Sequence, residues 1–154
     1  MKTEPLFFKV KNYQDLSRDE LYALLQLRAE VFVVEQDCVY QDVDGKDHKA
    51  LHVLGFKKDQ LVAYTRAFAP GAYFEEASIG RVVVKETERN HKYGYELMQR
   101  SIQAIEDQYE TTVIKISAQT YLKKFYNNLD FKEVGEGYLE DGIPHIGMIR
   151  VQTE

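Results

Sequence analysis

The fold is decided by the sequence IGRVVVKETERNHKYGYELM, residues 79–98. It begins with a valine-rich run, Ile79 to Val84, which is typical of a strand buried on both faces. A polar turn follows, and apolar side chains then recur at helical spacing. They predict a helix from about Tyr93 to Gln108, with these side chains facing inward: Leu97, Met98, Ser101, Ile102 and Ile105. The stretch therefore predicts a buried strand that leads through a short turn into an amphipathic helix.

Outward from this unit, the sequence predicts further strands and helices on both sides. Ser17 and Glu20 have the spacing of a capping box, so a helix begins after Ser17. The other predicted elements are a strand at 6–10, a hairpin at 50–56 and 61–69 turned at 57–60, a strand at 113–118, a short helix at 122–129, and two strands within 131–151 joined around 141–144. This order predicts the α/β (α+β) class, a mixed sheet with helices on both faces.

The first helix has a charged residue in its apolar face. Leucines and Val31 and Phe32 recur along that face, and Arg28 interrupts them. One interpretation is that Arg28 extends its charge to solvent or pairs with a carboxylate at the helix edge. The other is that Arg28 orders the loop after the helix, where these carboxylates could serve as partners: Glu35, Asp42, Asp44 and Asp47.

Length and composition restrict the class of protein. The 154 residues suit a single domain spanning 1–154. The net charge of −5 argues against nucleic-acid binding, and no apolar run is long enough to span a membrane. Cys38 is the single cysteine, which excludes an internal disulfide and fits a reducing compartment. We expect a cytoplasmic protein, and the composition leaves a homodimer open.

The turn between the buried strand and its helix has the properties of an anion site. The first amides of a helix lack intrahelical partners, and the macrodipole adds about half a positive charge there. Arg89 and Lys92 would add positive charge, and Gly94 would let a ligand approach the backbone closely. The alternative is a plain strand-to-helix connection.

Three stretches together resemble one enzyme family. Arg89-x-x-Lys92-x-Gly94 resembles the coenzyme A loop Q/R-x-x-G-x-G/A of the GCN5-related N-acetyltransferases (GNAT), with Lys92 in place of a glycine. LRAEVFVVEQDC, residues 27–38, and YLEDGIPHIGM, residues 138–148, resemble the opening and closing signatures of the ElaA-like branch. The stretches occur in the family's order and cover nearly the whole chain, which is identified as a member of this family.

The resemblance implies a twisted mixed sheet in which two neighbouring parallel strands, 79–84 and 113–118, splay apart to admit acetyl-coenzyme A. Amides at the end of the first strand would hold the pantetheine arm and polarise the thioester carbonyl. The residues expected at the coenzyme are Val82, Val83, Val84, Arg89, Asn90, His91, Lys92, Tyr93, Gly94, Tyr95, Gln119 and Tyr126.

The resemblance also implies a general acid. FYNNLDF, residues 125–131, resembles the family's F-Y-x-x-x-G-F segment, whose tyrosine protonates the departing thiolate; Asp130 replaces the glycine. A phenol with an ordinary pKa near 10 is protonated at neutral pH, as an acid must be. The alternative is that Tyr126 only packs against its helix.

The general base is open between several residues. Glu35 and His145 are catalytic candidates, and Glu140, His52 or an ordered water could serve instead. A lone strand histidine such as His52 is more often structural. No metal is expected, because DVDGKDH, residues 42–48, has its glycine at the fourth position and so does not match a calcium loop.

These expectations support two functions. The first is an N-acetyltransferase that transfers the acetyl group of acetyl-coenzyme A to a primary amine of a small molecule or peptide. The second is an acyl-coenzyme A-binding module without turnover, which the departures at Lys92 and Asp130 and the open question of the base would favour. The presence of Tyr126 favours the enzyme, because a binding module does not need a phenol at that place.

Overall fold

Seven strands form one mixed sheet in the computed structural model, which describes residues 4–151. The strands are β1 Phe7–Asn12, β2 Leu51–Lys57, β3 Gln60–Phe68, β4 Ala77–Val84, β5 Ile114–Gln119, β6 Phe131–Glu140 and β7 Ile143–Arg150. Their order across the sheet is β1-β2-β3-β4-β5-β7-β6. Within residues 4–151, β4 and β5 are the only parallel pair of this sheet.

Helices cover both faces of the sheet, as the sequence predicts. They are α1 Arg18–Arg28, α2 Tyr93–Tyr109 and α3 Lys123–Asn127. Leu24 and Leu27 of α1 pack on one face with Leu54. The opposite face belongs to α2 and to the end of α3, and these residues of the helices lie in its core: Leu97, Met98, Ile102, Ile105 and Tyr126. The apolar spacing that predicts α2 therefore corresponds to its buried side.

The capping box predicted at the start of α1 is present. The Glu20 amide donates to the Ser17 hydroxyl at 3.0 Å, and the Ser17 amide donates to the Glu20 carboxylate at 2.9 Å. Lys9 and Lys11 of β1 also donate to that carboxylate. These hydrogen bonds hold the pKa of Glu20 down at about 2, although its burial alone would raise it.

The parallel strands β4 and β5 separate soon after they pair. Their register contains two residue pairs, Ala77 with Ile114 and Ser78 with Lys115. Beyond Ser78, β4 continues to pair with β3 on its other side as far as Val84. Its edge towards β5 therefore leaves backbone groups without a strand partner, in a position to bind a ligand. The predicted pair of splayed strands is confirmed.

A bulge in β4 lies where the two strands part. The register with β3 shifts between Tyr64 and Arg66, and Arg81 has a positive φ of 50°. A bulge redirects the side chains that follow it. Val82 and Val84 are half-buried as a result and face the opening, whereas the sequence predicts burial on both faces for the whole valine run.

Several predicted boundaries differ from the structure. The α-helical part of the first helix ends at Arg28, and a π-helical segment, Ala29–Glu35, continues it. Such segments widen the turn and are frequent at functional sites. The β2–β3 turn is two residues long, shorter than predicted, because Lys58 adopts a φ of 56°. Within residues 4–151, no helix is both long enough and apolar enough to cross a membrane.

Candidate active site

A long cleft of about 650 Å³ opens where β4 and β5 separate. One side is formed by the end of β4 and the start of α2, and the other by β5, the turn after it and α3. The π-helical segment after α1 closes it with Val31, Phe32 and Glu35. The cleft therefore lies against the stretch 79–98 that decides the fold.

Most of the residues expected at the coenzyme line this long cleft. They are Val82, Val83, Val84, Arg89, Asn90, Lys92, Gly94, Tyr95, Gln119 and Tyr126. His91 and Tyr93 do not line it. Tyr93 is the first residue of α2 and points into the core, where its hydroxyl donates to the Glu4 carbonyl at 2.5 Å. His91 packs against the Tyr93 ring, with ring centroids 5.3 Å apart.

The backbone at the start of α2 has the conformation that favours glycine. Lys92 lies in the left-handed region, with φ 60° and ψ 23°. Asp130, the other position where the family pattern has glycine, has φ 71°. This chain therefore keeps the backbone that glycine usually provides and bears the strain with a lysine and an aspartate. Gly94 lies two residues after Lys92, in the first turn of α2, where an added Cβ would be 3.4 Å from the Phe125 ring.

Arg89 and Glu35 are paired with each other at the mouth of the long cleft. Both terminal nitrogens of Arg89 donate to the Glu35 carboxylate, at 2.5 and 2.7 Å, and Nε donates to the Val84 carbonyl. The hydrogen bond to Glu35 is the main reason that the pKa of Arg89 is raised. Both side chains keep substantial exposure, 40% and 29%, so solvent screens the charges of this pair.

Tyr126 lies at the inner end of the long cleft. It is buried in α3, and its ring packs edge-on against Phe125 and Phe131. Burial raises the pKa of its phenol, so the hydroxyl stays protonated at neutral pH. Tyr126 therefore does pack within the core, as the alternative interpretation expects. This packing holds the residue beside the cavity and is compatible with a chemical role.

A small cavity of about 140 Å³ adjoins the long cleft on the α1 side of the sheet. Its walls come from β3, β4, β5, β7, the loop after α1 and the segment after β3. The residues that line both cavities are Phe32, Gln36, Val82, Gln119, Leu122 and Tyr126. Tyr126 and Gln119 therefore lie at the junction, where a group bound in one cavity meets a group bound in the other.

His145 and Glu140 lie together at the wall of the small cavity. His145 Nδ1 is 2.7 Å from the Ile143 carbonyl, which can only accept a hydrogen bond, so we assign the proton to Nδ1. Its Nε2 then carries the lone pair in the neutral ring and lies 3.4 Å from the Glu140 carboxylate. Tyr138 stacks on the imidazole and hydrogen-bonds to Ser117. The arrangement leaves Nε2 as the basic atom.

His52 is structural, as the more common interpretation of a lone strand histidine has it. Its ring is fully buried, with Nδ1 2.6 Å from the Tyr64 hydroxyl and Nε2 2.9 Å from the Asp47 carbonyl. The carbonyl fixes the proton on Nε2, so Nδ1 accepts from Tyr64. Burial lowers the pKa of His52. Because both ring nitrogens are engaged within the core, His52 is removed from the candidates for the base.

Arg28 orders the loop after the first helix, which confirms the second interpretation of its position. Its guanidinium is fully buried and donates to Asp42 at 2.9 Å and to Asp47 at 2.7 Å. Arg66 of β3 binds Asp44 and Asp47, and Arg81 at the bulge binds Asp42. The aspartates of the sequence 42–48 thus bind arginines. Glu35, the fourth expected partner, binds Arg89 instead.

Several residues of the small cavity are not found by sequence reasoning. They are Phe68, Tyr73, Phe74, Gly80 and Ser117. The period of two along β5 places Ser117 and Gln119 on one face, so Ser117 could have been found from Gln119. The aromatic residues give no such signal, because they reach the cavity only through the pairing of β3 with β4.

The sheet that splits at β4, and the cleft that meets a second cavity beside a buried phenol, define an acyltransferase fold. A family model described as acetyltransferase (GNAT) domain matches residues 12–151, and the chain belongs to that family. Protein ElaA of Escherichia coli is 45% identical over 141 residues, which are 90% of this chain and 92% of that protein.

Solved structures agree with the family assignment. An acyl-CoA N-acyltransferase from Pseudomonas aeruginosa has a TM-score of 0.89 at 45% identity, covering 95% of this chain and 100% of that one. Escherichia coli ElaA has a TM-score of 0.88 at 43% identity, covering 94% of this chain and 99% of that one. The protein is therefore an acyl-coenzyme A-dependent acyltransferase of the GNAT fold.

Proposed function

We propose that the protein is an N-acetyltransferase that transfers the acetyl group of acetyl-coenzyme A to a primary amine. One observation carries the proposal: the long cleft and the small cavity meet at Tyr126 and Gln119. A thioester in the first cavity and an amine in the second would come into contact there. A module that only binds the coenzyme has no need of the second cavity.

The coenzyme would lie along the long cleft. Its pantetheine arm would take the place of a strand beside β4, bound by the backbone that the separation from β5 leaves open at Val82–Val84. Its pyrophosphate would lie at the turn 89–95, against the first amides of α2, whose 17 residues give a full macrodipole. Lys92 is exposed at that turn, and Arg89 becomes available when the phosphate displaces Glu35.

An ammonium acceptor first loses one proton to water. The neutral amine then needs one attack and two proton transfers. The amine nitrogen forms a bond to the thioester carbonyl carbon, and the carbonyl oxygen becomes an oxyanion beside the β4 backbone, whose amides would stabilise it. Collapse of this intermediate breaks the carbon–sulfur bond and releases the thiolate. Tyr126 donates its proton to the sulfur, and His145 Nε2, directly or through water, accepts the proton that the amine loses.

A short acyl group suits this site. Phe32 and Leu122 flank the junction, and the small cavity beyond it has only about 140 Å³, which the amine must share. A long acyl chain would compete with the acceptor for that space. We further propose that the whole chain acts as one catalytic domain in the cytoplasm, a location that the single cysteine, Cys38, supports.

Calorimetry with acetyl-coenzyme A, followed by thiol release with a panel of primary amines and mass analysis of the product, tests the proposal. We expect binding, turnover, and an acceptor heavier by one acetyl group. Hexanoyl-coenzyme A serves as the comparison for the acyl group and should react more slowly. Tight binding of acetyl-coenzyme A without release of thiol on any amine would establish the binding module instead.

A further inference from the structure

The small cavity has an aromatic wall on the β3 side. Phe68 of β3 stacks on Tyr73, with ring centroids 5.1 Å apart, and Tyr73 meets Phe74 edge-on at 4.9 Å. Tyr40, from the loop after α1, and Phe32 complete this wall. Rings held in such mutual contact give a rigid apolar surface, which favours the apolar body of a ligand.

The cations at this wall are two lysines, Lys46 over the Tyr73 ring and Lys115 over the Phe74 ring, and arginines that are paired with aspartates. Arg66 donates to Asp44 and Asp47, and Arg81 donates to Asp42. With Arg28 included, the cluster contains three arginines and three aspartates, so its charges cancel. The Arg66 Nε and Ser78 Oγ atoms lack a hydrogen-bond partner within residues 4–151, but both are shielded from solvent, so a molecule in the cavity does not reach them.

The carboxylates on the opposite wall, within residues 4–151, have no arginine or lysine partner. Glu140, whose side chain is 48% exposed, contacts the Ser117 hydroxyl at 3.3 Å and His145 Nε2 at 3.4 Å. Asp141 follows it at the exposed turn between β6 and β7 and lines the same cavity. These two carboxylates lie at the end of the cavity that contains the imidazole, so they attract an ammonium group to that end.

The size of the cavity limits the body of the acceptor. Its volume of about 140 Å³ is close to the roughly 150 Å³ of an engineered apolar cavity that binds benzene. One ring or a short branched alkyl group therefore fills it. A second ammonium group at the far end of the body would lie against the aromatic wall, where Arg66 and Lys46 would repel it.

We propose that the acceptor is a primary amine attached to a compact apolar body of about one aromatic ring and carrying no carboxylate beside the amine. This proposal rests on the proposed function and specifies the acceptor class. The ammonium end would lie beside Glu140 and His145, and the ring against Phe68 and Tyr73. An amino acid would be rejected by the repulsion between its own carboxylate and Glu140.

Binding to the protein saturated with coenzyme A tests this class without requiring turnover. Phenethylamine and phenylalanine share the same ring and amine, and differ by the carboxylate. Titration calorimetry should give a Kd at least tenfold lower for phenethylamine than for phenylalanine. Putrescine, which has two charged ends and no ring, should bind at least tenfold more weakly than phenethylamine. Equal or tighter binding of phenylalanine or putrescine would overturn the proposal.

Two variants locate the amine and its body. An added Cβ at Gly80 meets no atom within 4 Å, so Gly80→Leu can fill the small cavity without a clash, and Gly80 does not line the long cleft. We expect this variant to keep its affinity for acetyl-coenzyme A and to lose phenethylamine binding at least tenfold. Glu140→Gln should weaken phenethylamine severalfold, whereas Glu136→Gln, an exposed change on the same strand, should not.

The outcomes separate this proposal from the proposed function. If the Gly80→Leu variant binds phenethylamine as tightly as the parent, the ring does not occupy the small cavity and the acceptor class is wrong. If Glu140→Gln and Glu136→Gln behave alike, the ammonium does not lie at Glu140. Failure of the parent to bind acetyl-coenzyme A would instead contradict the proposed function, and thiol release with another amine class would leave that function intact while overturning the acceptor class.

Discussion

The long cleft and the small cavity share one junction but are built in different ways. The wall of the long cleft at 82–95 is a single stretch of chain, in which a strand, a turn and a helix start present backbone groups. The small cavity is assembled from side chains of several strands and loops, held in place by buried ion pairs. A backbone site suits a ligand that a whole family shares, and a side-chain site can be changed to suit one acceptor.

The largest expected effect is at the junction itself. Tyr126→Phe keeps the packing of the ring and removes the proton donor, so turnover should fall by about 10²–10⁴-fold, the usual contribution of general acid catalysis. The affinity for acetyl-coenzyme A should stay within a few-fold, as measured by calorimetry beside steady-state kinetics. Tyr22→Phe, a change at an exposed tyrosine of α1, is the control and should alter neither.

The result would show whether the Tyr126 hydroxyl takes part in proton transfer or in binding of the coenzyme. A parallel fall in turnover and affinity would mean that the hydroxyl helps to hold the coenzyme. Full turnover in the variant would remove Tyr126 as the acid and leave packing as its only role.

The difference between the two cavities also explains what the sequence can predict. The stretch 79–98 determines the strand, the turn and the helix locally, so hydrophobic spacing predicts the element order, and the resemblance to the family implies the residues at the coenzyme. The sequence does not indicate where the Tyr93 side chain points, because the direction of the first side chain of α2 depends on the core that it meets. The small cavity depends on register and on the bulge at Arg81, neither of which has a local signal.

The buried ion pairs behind the small cavity should carry the next largest effect, on stability. Arg28→Met leaves Asp42 and Asp47 without their buried partner, so the free energy of unfolding should fall by about 3–5 kcal/mol in urea titrations. Arg18→Met, at an exposed position of α1, should change it by less than about 0.5 kcal/mol. A loss as small as that of the control would show that the loop does not depend on Arg28.

The pH dependence of the stability lost in Arg28→Met provides an independent check. Asp44 is bound by Arg66 and not by Arg28, so Arg28→Met leaves its lowered pKa in place and Asp47 carries the difference. Burial alone would raise the pKa of Asp47, but the hydrogen bonds and charges of Arg28 and Arg66 outweigh it. The pKa of Asp47 in the folded protein is thus below the unfolded value of about 3.9. The stability that this carboxylate contributes is therefore present above that pH and is lost as pH falls through the folded pKa. The difference between parent and Arg28→Met should therefore shrink below about pH 4.

A smaller effect is expected at the mouth of the long cleft. Glu35→Gln removes the carboxylate that occupies Arg89, so the affinity for acetyl-coenzyme A should rise by about fivefold, equivalent to about 1 kcal/mol. Glu30→Gln, which breaks a neighbouring pair with Lys85 on the same π-helical segment, is the matched control and should have no such effect. A fall in turnover of about 10²-fold or more would instead assign the role of base to Glu35.

The smallest expected effect tests whether the long cleft is a backbone site in the strict sense. Lys92 and Lys58 both have left-handed backbones, with φ 60° and 56°, so glycine at either position should relieve about 1 kcal/mol of strain. For a chain of this length that corresponds to a rise in Tm of about 2–4 °C. Lys58 lies in the β2–β3 turn and does not line the long cleft, so Lys58→Gly reports the strain alone.

If amides and the helix macrodipole hold the pyrophosphate, Lys92→Gly gains the same stability and keeps its affinity for acetyl-coenzyme A within a few-fold. A tenfold loss confined to Lys92→Gly would mean that the ammonium itself binds a phosphate. In that case the chain would have replaced a conformational advantage with a charge, and the wall at 82–95 would depend on side chains as the small cavity does.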